Sequence, residues 1–171
     1  MSAIVLIGLM GAGKSTVARC IAARSERRVV DADSAIEATT GQTVRELWES
    51  GGEAAYRALE SDVVLDALAS DDPVVIAAPG GVVLDPVVRA ALGDATVVWL
   101  RADPEVLAGR VQIGDHRPLL DDDPLRALAA MAQDRAELYA GVADGIVDVD
   151  RLDAEQAADA VLALYRAASG G

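Results

Sequence analysis

The chain contains no phenylalanine and only one lysine, one histidine and one cysteine. Each scarcity excludes something. Without Phe, and with 52% apolar residues rich in Val and Ala, the core must be built from short aliphatic side chains, which suits buried parallel strands. The single Cys20 cannot form an intramolecular disulfide. It falls at a helical position with no His beside it, and reads as a buried structural thiol rather than a nucleophile. No stretch approaches the roughly 20 apolar residues of a membrane helix, and the apolar start SAIVLIGLMG lacks a basic leader. Basic residues are outnumbered 28 to 15 by acidic ones, a formal charge of -13 that repels both nucleic acid and anionic membranes. Neither is expected as a partner. The expectation is a cytoplasmic protein that handles a small ligand.

At 171 residues the chain fits one domain, 1–171. Short Val- and Ile-rich runs alternate with segments of helical period, the pattern of a parallel sheet covered by helices. Strands are expected at Ala3–Leu9, Arg28–Asp31, Val74–Ala78, Thr96–Leu100 and Gly145–Asp148. Helices are expected at Lys14–Ser25, Ser34–Thr39, Val44–Glu49, Glu53–Ala69, Pro86–Leu92, Pro104–Arg110, Pro124–Tyr139 and Ala154–Ala168. Thr43 with Glu46, Asp103 with Pro104, and Asp123 with Pro124 supply start signals. Val111 to Asp122 has no clear period and holds Gly114, Pro118 and the first two of three consecutive Asp, so it is read as a mobile lid, approximately 111–122.

The pattern G-x-x-x-x-G-K-[ST] is met by Gly8, Gly13, Lys14 and Ser15, with a strand before it and a helix after. In such a loop the inward N–H groups and the positive helix end hold the β-phosphate. Lys14 reaches the β and γ oxygens, and the Ser15 hydroxyl meets Mg²⁺. Composition points to the same residue: of the 15 basic residues only Lys14 is a lysine. A broad guanidinium does not replace a compact ammonium threaded among phosphate oxygens.

The strand Val74–Ala78 runs into Pro79-Gly80-Gly81 with no carboxylate, where a P-loop hydrolase commonly places its metal-shell Asp. A GTPase base-reading Asn-Lys-x-Asp segment is impossible in a chain whose one lysine is Lys14. An acid is available instead at Asp31-Ala32-Asp33, at the carboxyl edge of the sheet. On an extended chain the two side chains share a direction, so one would serve the metal shell and the other a substrate hydroxyl. The bland alternative is a solvated acidic turn.

From Ile4 to about Arg151 the chain resembles the shikimate kinase family: GLMGAGKST, DAD, GEAAYRALE with Arg57, Gly80-Gly81, HRPLL with Arg117 and DRAELY with Arg135, in matching order and spacing. The resemblance implies a three-layer P-loop kinase fold, a five-stranded parallel sheet with helices on both faces and a mobile lid. It implies ATP and shikimate as substrates, Mg²⁺ as cofactor, and a monomer. Gly11, Ala12, Gly13, Lys14, Ser15 and Thr16 match the nucleotide loop, and Arg110 and Arg151 match arginines near the adenine. Asp33 matches the acid that binds the acceptor's hydroxyls and activates one of them. Ser15 and Asp31 match groups near the metal. Arg57 and Arg135 match the pair that grips the acceptor carboxylate, a fit for planar guanidinium forks. Gly80 matches a glycine whose N–H approaches the substrate, with Gly81 beside it. Lys14, Asp33 and Arg117 are the implied catalytic set, Arg117 offsetting charge on the moving phosphoryl group.

Each arginine also has an ordinary reading. Glu53 and Glu60 stand at helical spacing from Arg57, so a surface ion pair would explain it, and Arg135 with Glu137 allows a similar account. His116 reads as an exposed loop residue, and Trp48 and Trp99 as packing residues. The family usually has a third glycine where this chain has Pro79, which supplies no N–H. A related kinase for gluconate or a cyclitol, and a nucleotide-binding regulator without transfer activity, are the alternative readings.

Overall fold

The computed structural model describes residues 3–111, 120 and 122–170. Five strands form one parallel sheet: β1 (Ile4–Ile7), β2 (Arg28–Asp31), β3 (Val74–Ala77), β4 (Thr96–Arg101) and β5 (Gly145–Asp148), in the order β2-β3-β1-β4-β5. The central strand β1 registers Ile4 against Val75 of β3 and Thr96 of β4. All four β1 residues are fully buried, as an all-aliphatic strand flanked on both edges and both faces must be.

The helices are α1 (Lys14–Ser25), α2 (Ala32–Thr40), α3 (Val44–Leu68), α4 (Pro86–Ala91), α5 (Pro104–Arg110), α6 (Pro124–Val142) and α7 (Ala154–Ser169). The chain leaves β1 toward β2 on one edge but leaves β3 toward β4 on the other. Right-handed crossovers therefore put α1 on one face and α3, α4 and α6 on the opposite face. α7 packs beside α1, where Arg24 pairs with Glu155 and Asp159. Adjacent strands whose helices depart to opposite faces leave a crevice outside their carboxyl ends, here between β1 and β3.

The expected elements form, with differences at their ends. β1 stops at Ile7 because Gly8 turns the chain, at φ 141° with its Cα against the Leu100 carbonyl, where a Cβ would collide. The two helices expected over 44–69 form one run whose backbone breaks at Gly52, φ 76° and ψ 175°. Its start is the expected capping box, Thr43 Oγ1 accepting from the Glu46 N–H while the Glu46 carboxylate accepts from the Thr43 N–H. α2 begins at Ala32, two residues earlier than expected, because Asp31 caps it by accepting from the Ser34 N–H at 3.2 Å. Asp33 therefore lies in a first helical turn, not on extended chain, and the shared strand direction expected for Asp31 and Asp33 does not hold. A satellite core of Ile36, Val44, Leu47 and Tyr56, with Trp48 against it, joins α2 to α3. Cys20 is half-buried against the main core.

Candidate active site

The loop from Gly8 to Lys14 fills the mouth of the crevice. Gly13, at φ 86°, leads into α1, and no side chain caps that helix and no acid stands in its first turn among the described residues. Its N-terminal N–H groups and positive end are thus left for an anion. Lys14 Nζ donates to the Gly8 and Leu9 carbonyls at 2.8 and 3.0 Å, lying back along the loop. Gly11, Gly13, Lys14, Ser15 and Thr16 line a cleft of about 370 Å³ together with Asp31, Asp33, Pro79, Gly80 and Arg110. Ala12 is buried beneath the loop.

Despite the changed backbone, Asp31 and Asp33 both reach this cleft. Asp33 Oδ1 accepts a hydrogen bond from the Tyr56 hydroxyl at 3.1 Å. Asp31 and Ser15 offer hard oxygen donors on one cleft. The described residues hold no group of three or more metal-binding side chains. That donor set fits Mg²⁺, which keeps much of its water and needs only one or two protein oxygens beside substrate phosphates.

The two arginines expected to grip the acceptor meet at the Gly80-Gly81 turn from different sides. Gly81 has an ordinary backbone conformation, but a Cβ there would collide with the Arg57 guanidinium, so this glycine makes room for the arginine. Arg57 borders a second cleft of about 360 Å³ with Gly81, Ser61 and Asp85 rather than the phosphate cleft. It donates to Glu60 at 2.6 Å, approaches Glu53 at 3.5 Å, and lies 5.7 Å from the Trp48 ring. Burial disfavours its charge, but the Glu60 carboxylate outweighs that and holds the guanidinium above its ordinary range. Since the Glu60 side chain is only 4% exposed, this is not a surface ion pair. Arg57 Nε is buried with no hydrogen-bond partner among the described residues.

Arg135 approaches Gly80: its Nη1 is 3.5 Å from where a Cβ on that glycine would stand. It is 7% exposed, and no carboxylate pairs with it among the described residues; the surface pair with Glu137 does not form. Tyr139, one turn on, donates to the Gly80 carbonyl at 2.6 Å. Burial pushes its phenol up to about 12 even though the neighbouring Arg135 pulls the other way.

Arg110 closes the other end, donating to the Val149 carbonyl at 2.9 Å and the Gly11 carbonyl at 3.4 Å. With Gly13, Leu152 and Ala154 it borders a cleft of about 280 Å³. Arg151 is exposed on the turn after β5 and does not border that cleft. His116, Arg117 and most of the expected lid lie outside the described residues. Trp48 packs on Tyr56, and Trp99 on Tyr139, as packing residues. Tyr56 and Tyr139 themselves were not expected to serve the site. Their signal was an oddity of composition: two of the three tyrosines in a chain without phenylalanine carry their hydroxyls to the site.

The strand order and the phosphate loop at its centre place this fold among the P-loop kinases. A gluconokinase from Sinorhizobium meliloti shares it at a TM-score of 0.58, 24% identical, over 99% of this chain and 94% of that one. A model of the family described as shikimate kinase matches residues 10–166. The chain is 44% identical to the shikimate kinase of Aromatoleum aromaticum over 86% of its own length and 85% of that protein's. It also matches the structure of shikimate kinase from Acinetobacter baumannii in complex with shikimate, with a TM-score of 0.92 and 32% identity over 98% of this chain and 94% of that one. The chain belongs to the shikimate kinase family.

Proposed function

We propose that this chain transfers the γ-phosphoryl group of ATP to the 3-hydroxyl of shikimate, giving shikimate 3-phosphate and ADP on the route to chorismate and the aromatic amino acids. Family membership supports the reaction. The observation that carries the residue assignment is Arg135, a buried cation with no carboxylate partner among the described residues, set against Gly80 beside the phosphate cleft. A buried unpaired cation is costly unless a ligand completes it, and a carboxylate matches a guanidinium fork.

In this reading Gly11 to Thr16 cradle the nucleotide's phosphates through backbone N–H groups, and Lys14 swings from the Gly8 and Leu9 carbonyls onto the β and γ oxygens. Asp33 holds the acceptor hydroxyl in line and takes its proton, while Arg57, Arg135 and Gly80 hold the acceptor's carboxylate and ring. Ser15 and Asp31 would hold Mg²⁺, which when bound offsets charge between the β- and γ-phosphates. Arg110 belongs to the adenine end, and Arg151, exposed on the turn after β5, is assigned there from the resemblance alone. Arg117, assigned from sequence alone, offsets charge on the moving phosphoryl group, and a lid over approximately 111–122 excludes water. The proposal takes 1–171 as one kinase domain acting as a monomer in the cytoplasm.

Steady-state kinetics test the assignment. Arg57→Ala is expected to raise the KM for shikimate about tenfold or more with a smaller change in kcat, the loss of a charge-assisted contact. Arg117→Ala is expected to lower kcat with less effect on that KM. Wild-type kinetics in both variants would sink it.

A further inference from the structure

We propose that Tyr56 is a positioning residue of the acceptor site, its hydroxyl setting the orientation of the Asp33 carboxylate. The proposal rests on the reading of Asp33 given above and adds a group that acts through it. Tyr56 stands in the second half of α3, one residue before Arg57, and is 3% exposed. Its ring is locked in the satellite core with Ile36, Val44 and Leu47, and the Trp48 ring lies 5.9 Å away at 49°. An apolar aromatic would fill such a seat. Here the ring carries a hydroxyl that leaves the core and donates to Asp33 Oδ1 at 3.1 Å. The donor comes from α3 and the acceptor from the first turn of α2, so the bond ties together the two helices that line the acceptor side.

A carboxylate in a first helical turn has several rotamers open to it, and it serves a reaction only in those that face the cleft. A fixed donor on one oxygen narrows that choice without itself touching the nucleotide loop. The effect belongs to turnover: a misoriented Asp33 leaves ATP binding intact but spends less time beside the acceptor hydroxyl.

The test is a double-mutant cycle of Tyr56→Phe and Asp33→Asn, with kcat, the KM for ATP and shikimate, and thermal melting measured for all four proteins. Tyr56→Phe keeps the packed ring and removes only the hydroxyl. It is expected to lower kcat about three- to tenfold, the weight of one ordinary hydrogen bond, with the KM for ATP and the melting temperature near wild type. In the Asp33→Asn background the same substitution is expected to change kcat less than twofold, because the amide still accepts the bond but is no base for the hydroxyl to orient. A Tyr56→Phe protein with wild-type kcat overturns the inference while leaving Asp33 in place, and so does an equal loss in both backgrounds, the mark of a packing effect. Wild-type kcat in Asp33→Asn overturns the reading of Asp33 and this inference with it.

Discussion

The fold strongly alters the ionisation of Tyr139, whose buried hydroxyl holds the Gly80 carbonyl. Its phenol, near 10 in an unfolded chain, rises to about 12 in the fold, so the folded state keeps a proton that the unfolded state releases between those values. The stability Tyr139 contributes is therefore present below pH 10 and lost as pH rises toward 12. Tyr139→Phe should cost about 1 kcal/mol at neutral pH for the lost hydrogen bond. Chemical denaturation across pH should then show the gap to wild type narrowing above pH 10; a constant gap would contradict the burial argument. Tyr139 also shows why single residues were the least legible part of the sequence. DRAELY resembles any amphipathic helix segment, and nothing in it distinguishes an Arg135 paired with Glu137 in water from one buried against Gly80. That difference is made by β3 and its turn, more than 50 residues away in the chain. The P-loop was legible because its chemistry is local.

Among the elements, α3 does most to aim the acceptor site. Its first half is set by the Thr43 and Glu46 capping box, its second half carries Tyr56, Arg57 and Glu60, and Gly52 lies between them. A φ of 76° with ψ of 175° is open essentially to glycine alone, and nothing stands within 4 Å of where a Cβ on Gly52 would be. Gly52→Ala should therefore destabilise through backbone strain rather than collision, by about 1–3 kcal/mol. For a chain this size that lowers the melting temperature by roughly 2–4 °C per kcal/mol. Because the break aims the second half, the KM for shikimate should rise while the KM for ATP holds. Equal change in both would contradict the aiming role. The sequence showed two helical stretches separated near Gly51-Gly52, and that reading survives as a break within one run. The start of α2 was missed because Asp31 looks like a strand-end acid, whereas its carboxylate also caps the helix and draws Ala32 and Asp33 into the first turn.

The molecule as a whole carries a formal charge of -13 and must admit two anionic substrates. Locally Lys14, Arg57, Arg110 and Arg135 face the clefts or the turn between them, and at close range they outweigh distant surface acids. At long range the net charge dominates: its field reaches roughly 30 Å at 0.01 M salt but about 8 Å at 0.15 M. Raising salt between those values should increase kcat/KM for shikimate, and a monotonic fall would show that local cations steer the encounter instead. The sheet order itself was not legible in the sequence, since alternating strands and helices are common to many strand orders. Family membership settles the reaction class, and Pro79 lines the phosphate cleft beside Gly80. The central claim is that phosphoryl transfer depends on a hydroxylated carboxylate seated at Gly80-Gly81. A coupled ADP-release assay with shikimate, gluconate and no acceptor tests it most directly. The account predicts rapid release with shikimate and only background release in the other two; nucleotide binding without shikimate-dependent release, or faster release with gluconate, would contradict it.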